Sequence, residues 1–122
     1  KNSLAVCLDN ILRHAGITRN TEYDLAQGKT ATTILSENMT GVQVLDLSGC
    51  TLDAVLYYVN QDIPVLAILE DGEAVLVTGF NEFNVVIMEP ATGKLYKKGM
   101  NDATAWFAEN GNHFITYMRT EN

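Results

Sequence analysis

The spacing of hydrophobic residues divides this chain into a helical first half and a strand-rich second half. In "NSLAVCLDNILRHAG" apolar side chains recur at helical spacing, with Asn2 or Ser3 as the N-cap and Gly16 at the end. The same spacing returns in "GCTLDAVLYYVNQD", where Thr51 is the cap. Two further helices are predicted in "TEYDLAQG" and, behind Thr30 as a cap, in "TATTILSENM".

Beyond residue 62 the pattern changes to that of β-strands. The segments "IPVLAIL", "AVLVTGF", "NVVIM", "KLYKKG" and "HFITYMR" are rich in β-branched and aromatic residues and are separated by turn sequences. One helix, "NDATAWFAEN", precedes the last strand, and residues 41–47, "GVQVLDL", alternate as a short edge strand does. Helices first and antiparallel hairpins afterwards predict the α+β class.

One predicted hairpin carries an acidic residue at each of its outer ends. It is "EDGEAVLVTGFNEFNVVIMEPATG", in which Glu73 begins the first apolar strand and Glu89 ends the second. If the connection spans residues 79–84, the strands run antiparallel and place Glu73 nearly opposite Glu89. We therefore expect two carboxylates side by side at the end of the sheet that faces away from the loop.

Length and charge restrict the possible functions. A chain of 122 residues with 47% hydrophobic content fits a single domain, residues 1–122, around one core. The formal charge of −7 argues against nucleic acids and anionic membrane surfaces as partners. The longest apolar run, residues 63–69, has the length of a strand, so direct membrane insertion is not expected. The chain opens directly on "KNSLAVCLDN" with no recognisable signal peptide, and we expect it to be excised from a longer protein.

The two cysteines give no indication of a metal or redox site. Cys7 and Cys50 are far apart and show neither CxxC nor Cys/His metal spacing, so we expect them to be buried as small hydrophobic residues. A disulfide between them and a reactive thiol at Cys7 are the alternatives. Residues 91–94, "ATGK", lack the surroundings of a P-loop, and we predict no resident metal and no cofactor.

Several stretches resemble the papain-like domains of the peptidase C39 and C39-like group. Those domains open on a cysteine at the start of a long helix, in a run such as "C-G-x-A-A-L-x-M-I-L-R-Y-Y-G". Counting back from Gly16 through "ILRHAG" puts Ser3 at the nucleophile position and Cys7 one helical turn further in. "LDAVLYYVNQDIPVLAIL" resembles the family's helix followed by "G-x-P-V-I-A". The family's "H-x-V-V-V-T-G-Y" and "V-x-V-x-D-P-x-x-G" become "EAVLVTGF" and "VVIMEPATG", so Glu73 takes the histidine position and Glu89 that of the orienting aspartate.

The resemblance, over roughly residues 3–118, implies a papain-like fold with N-terminal helices packed on a C-terminal antiparallel sheet. A papain-type site needs a thiol, an imidazole and a group that orients the ring. A serine hydroxyl is harder to deprotonate than a thiol, and a glutamate with a reference pKa of about 4.3 is a weak base near pH 7. The resemblance therefore implies a bacterial pseudoenzyme of the cysteine peptidase type. Its location is open, with an extracytoplasmic or cell-envelope position favoured over the cytoplasm.

Two kinds of function follow from this assignment. In the first, the former cleft around Ser3, Glu73 and Glu89 binds a peptide, a protein segment or a neighbouring domain, or the chain is purely structural. The carboxylates would favour a cation such as a basic side chain, a peptide amine or a hard metal ion. In the second, the chain is an enzyme: a C39-like peptidase whose nucleophile is replaced by Ser3, a serine hydrolase that uses a carboxylate base, or a relocated thiol hydrolase that pairs Cys7 with His14 or His113. Ser3 as a plain helix cap and the glutamates as solvated strand ends remain the simplest alternative, and the oligomeric state is open.

Overall fold

The structure, a computed structural model, describes residues 2–120. Its helices and strands are, in chain order, α1 (Ser3–His14), α2 (Glu22–Ala26), α3 (Ala31–Asn38), β1 (Val42–Asp46), α4 (Leu52–Val59), β2 (Val65–Ile68), β3 (Ala74–Phe80), β4 (Asn84–Met88), β5 (Leu95–Gly99), α5 (Met100–Glu109) and β6 (His113–Arg119). Each helix and strand predicted from the sequence is present. The α+β class is confirmed.

The strands form one antiparallel sheet in the order β1-β6-β2-β3-β4-β5. β1 lies at one edge, as the short alternating segment predicted, and β5 forms the other edge. The last strand, β6, lies between β1 and β2, so it joins the short edge strand to the hairpins. No helix within residues 2–120 combines the length and the apolar character that a membrane crossing requires.

Helices cover both faces of this sheet. On one face α1 and α3 pack through buried side chains such as Leu8, Ile11 and Leu35. On the other face α4 and α5 pack through side chains such as Val55 and Phe107. Full burial of each large apolar side chain contributes about 1.5–3 kcal/mol, and this is the main stabilisation of the arrangement. The predicted packing of N-terminal helices on the sheet is confirmed, and the fourth and fifth helices form the opposite layer.

Asn2, rather than Ser3, caps α1. The Asn2 side-chain oxygen accepts hydrogen bonds from the backbone N–H groups of Leu4 at 2.8 Å and Ala5 at 3.2 Å. This satisfies two of the N–H groups that the first turn leaves free. The hydroxyl of Ser3 is therefore available for another partner.

The register of the β3–β4 hairpin differs from the prediction. A direct pairing of Glu73 with Glu89 requires Leu76 to lie opposite Val86, but Leu76 lies opposite Met88, two residues further along the chain. The position of the turn causes the shift: β3 continues to Phe80, which pairs with Val85, so the turn lies later than expected. The slip between Val77 and Gly79 offsets one residue of this shift. The two glutamates still lie at the same end of the hairpin, but they are not directly opposed.

Candidate functional site

A cavity of about 290 Å³ lies at the end of the sheet where the β2–β3 and β4–β5 turns meet the start of α1. It brings together the predicted positions Ser3, Glu73 and Glu89, which come from three separate parts of the sequence. The remaining lining residues are Leu69, Asp71, Ala74, Val75, Pro90, Ala91, Tyr96 and Trp106. The cavity thus combines one hydroxyl, three carboxylates and two aromatic rings.

Ser3 connects α1 to the sheet. Its hydroxyl oxygen accepts a hydrogen bond from the backbone N–H of Ala74, the first residue of β3, at 2.9 Å. The residue is 8% exposed and Ala74 is 1% exposed. A buried N–H requires an acceptor, so the hydroxyl has a structural role in addition to its place in the cavity wall.

Two turns position the two glutamates. The backbone of Glu73 bonds within the β2–β3 turn, where its N–H donates to the Asp71 side chain at 2.9 Å and its carbonyl oxygen accepts from Leu69 at 2.7 Å. In the β4–β5 turn the Glu89 carboxylate accepts from the N–H of Ala91 at 3.1 Å. Glu73 is exposed and Glu89 is half-buried, so one of the two glutamates is solvated and the other is partly shielded.

Two aromatic side chains form the wall on the α5 side. Tyr96 comes from β5, and both burial and the negative charge of Glu89 raise the pKa of its phenol. Trp106 comes from α5, and the Lys98 ammonium lies 4.7 Å from the centre of its ring. Phe107 is 2% exposed, whereas Trp106 is only partly buried and reaches the cavity.

Cys7 lies behind the cavity, in the core. Its side chain is 0% exposed, and burial, together with the charge of Glu89, raises the pKa of the thiol to about 12. The expected burial of Cys7 is confirmed, and Cys50 is half-buried. Both cysteines are free, so the alternative of a disulfide is wrong. A thiol that stays protonated in the core lacks the thiolate form that nucleophilic attack requires.

Neither histidine lies at the cavity. The Nε2 atom of His14 is 3.0 Å from the carbonyl oxygen of Asp62 and 3.6 Å from its carboxylate, near the other end of α1. His113 begins β6 opposite Ile68. Among residues 2–120, therefore, no imidazole lines the cavity beside Ser3. The same part of the chain contains no group of three or more His, Cys, Asp or Glu side chains arranged to hold a metal ion.

Comparisons with known proteins identify the fold. No protein-family model and no curated protein sequence matches the chain. A crystal structure of a candidate C39-like peptidase from Bacillus anthracis superposes with a TM-score of 0.81, covering 99% of this chain and 90% of that one, at 14% sequence identity. The fold is C39-like. At this identity the likeness concerns the fold alone. The cavity of this C39-like fold contains a serine and acidic residues where the sequence resemblance implied a peptidase site.

Proposed function

We propose that this chain is a catalytically inactive module of C39-like fold that binds a peptide or protein segment in the cavity at Ser3, Glu73 and Glu89. The observation that carries the proposal is the content of that cavity. Carboxylates and aromatic rings surround a hydroxyl that is already hydrogen-bonded to Ala74, and no described histidine or cysteine lines the walls. Thiol catalysis needs a thiolate and a neighbouring base, and neither group is offered by these residues.

The cavity favours a positively charged group on its ligand. Glu73, Glu89 and Asp71 supply negative charge, and Tyr96 supplies an aromatic face that attracts cations. A volume of about 290 Å³ is enough for one long side chain rather than for a folded domain. A lysine or arginine side chain, or the amine at a peptide's N-terminus, meets both requirements. We therefore expect an extended segment that inserts one basic group.

The experiment is a titration of the ¹⁵N-labelled protein with a short Lys-containing peptide, followed by NMR. We expect chemical-shift changes at Ser3, Ala74 and the two turns. The double variant Glu73→Gln with Glu89→Gln should lose at least about tenfold in affinity, which corresponds to about 1.4 kcal/mol. A matched control, Glu82→Gln with Asp53→Asn, removes the same charge from exposed positions outside the cavity lining.

Three outcomes would contradict the proposal. Equal losses of affinity in the cavity variant and the control would show that binding follows net charge only. Hydrolysis of the peptide that stops when Ser3 is replaced by alanine would show that the chain is an enzyme. If no peptide causes shifts around the cavity, binding there is disproved and the purely structural role is supported.

A further inference from the structure

The hydrogen bonds at the two ends of β5 fix which of its backbone groups face outward. At one end the N–H of Glu89 donates to the carbonyl oxygen of Lys94 at 2.8 Å. At the other end the N–H of Met100 donates to the carbonyl oxygen of Phe83, also at 2.8 Å. In an antiparallel ladder hydrogen-bonded pairs alternate with non-bonded pairs. The backbone N–H and C=O groups of the even-numbered residues of β5 therefore point towards β4, and those of the odd-numbered residues point away from it.

The outward-facing residues form an open sheet edge. They are Leu95, Lys97 and Gly99, whereas Tyr96 and Lys98 bond towards β4. β4 is the one strand beside β5 in the described sheet, and Leu95 is 61% exposed. Unpaired N–H and C=O groups along an exposed edge are a template to which another extended chain adds.

This edge is positively charged although the chain as a whole is acidic. Lys94, Lys97 and Lys98 are three of the eight lysine and arginine residues, and they fall within five positions of a chain with a formal charge of −7. Within residues 2–120 none of the three forms an ion pair with a carboxylate. Lys98 lies over Trp106, and the other two ammonium groups are on exposed residues.

Lysines on a sheet edge commonly prevent pairing with other strands, so their effect on specificity has to be considered. At β5 they would repel a second copy of the same edge and any basic strand. Opposite charges across neighbouring strands are favourable, and like charges are unfavourable. The edge therefore discriminates in favour of acidic segments.

A second cavity, of about 340 Å³, lies beside this edge on the face that α1 covers in part. Leu95 lines it together with Asn10, His14, Asp62, Pro64, Leu76, Thr78, Met88 and Gly93. Leu95 and Lys97 lie on the same face of the strand, because side chains alternate along it. An added strand would place one side chain next to Leu95, over this cavity, and another next to Lys97 two positions away.

From these contacts we propose that β5 binds an extended acidic segment of a partner protein as a seventh strand of the sheet. The segment has an apolar side chain beside Leu95 and an acidic side chain beside Lys97. The proposal concerns a different surface from the cavity at Ser3, and neither depends on the other.

The test uses a ten-residue peptide in which Val and Glu alternate on one face and Thr occupies the other. We expect this peptide to shift the amide signals of Leu95, Lys97 and Gly99 and to slow their hydrogen exchange, because they acquire acceptors. A peptide with Lys in place of Glu should bind at least about tenfold more weakly, a difference of about 1.4 kcal/mol. Added salt should weaken binding of the acidic peptide.

Two pairs of variants separate charge from backbone pairing. Lys97→Glu should weaken binding of the acidic peptide several-fold, whereas Lys29→Glu, which changes the net charge equally on the α2–α3 connection, should not. Lys97→Pro removes an outward N–H without removing a bond to β4, so it should bind more weakly than Lys97→Gln. Equal affinity for the acidic and basic peptides would overturn the proposal. So would shifts confined to other surfaces, equal binding by Lys97→Pro and Lys97→Gln, or a dimer that pairs at β5 in sedimentation and NMR.

Discussion

Ser3 and Cys7 lie one turn apart on α1, yet they lie in different environments. The hydroxyl of Ser3 lines a cavity and accepts a hydrogen bond from Ala74. The thiol of Cys7 is fully buried, and its pKa is raised to about 12. The first turn of α1 meets the start of β3, where a backbone N–H needs a partner, whereas the second turn packs on the interior of the sheet.

The difference shows that no position on this helix combines access to the cavity with a thiol of lowered pKa. A thiol nucleophile needs solvent or substrate access and a lowered pKa at the same position, typically at a helix N-terminus or beside a positive group. Here the position with access holds a serine, and the cysteine lies in an apolar core where the charge of Glu89 raises its pKa further. Position in the fold decides what each of these residues can do.

Thiol labelling gives the largest expected effect. Cys50 is half-buried and should react with a disulfide reagent in the native state, whereas Cys7 should react only when the chain unfolds. Single domains are typically stable by about 5–15 kcal/mol, so labelling of Cys7 should be at least about 10³-fold slower. The measurement uses the single-cysteine variants Cys50→Ala and Cys7→Ala at neutral pH. Rates within tenfold of each other would show that the second turn of α1 is accessible and would remove the contrast with Ser3.

Alkaline pH gives the next largest effect. The pKa of the Cys7 thiol is about 9 in an unfolded chain and about 12 in the fold, so the folded state holds its proton more tightly. The stabilisation is complete below pH 9 and is lost as the pH rises from 9 to 12. Three pKa units correspond to about 4 kcal/mol. The test compares the free energy of unfolding of the natural chain and of Cys7→Ala across this range, since both contain the same tyrosines and lysines. Parallel pH profiles would contradict the burial of the thiol.

The helices and strands could be predicted from the sequence because their signals are local. Apolar spacing located α1 and α4, and Thr30 and Thr51 serve as caps in the structure as predicted. Residues 41–47 were predicted as an edge strand from alternation alone, and β1 lies at the edge. Each of these features depends on side chains within a few positions of one another.

The candidate site was less predictable because it depends on long-range geometry. The hairpin pattern placed Glu73 and Glu89 at the same end, but β3 continues to Phe80 and the later turn changed their register, and the pattern carries no signal for it. Trp106 and Phe107 are adjacent on α5, and only the packing of that helix shows that the first reaches the cavity. The choice of Asn2 rather than Ser3 as the cap likewise depends on the position of β3, 71 residues away from Ser3.

Replacement of the Ser3 hydroxyl gives the smallest of these effects and tests the other side of the comparison. Ser3→Ala leaves the buried N–H of Ala74 without its acceptor, which costs about 1–3 kcal/mol. Ser36→Ala, at an exposed position of α3, is the matched control and should change stability by no more than about 0.5 kcal/mol. Chemical denaturation of both variants measures the difference. If the two variants are equally stable, water from the cavity replaces the hydroxyl, and the first turn of α1 is held to β3 by apolar packing rather than by Ser3.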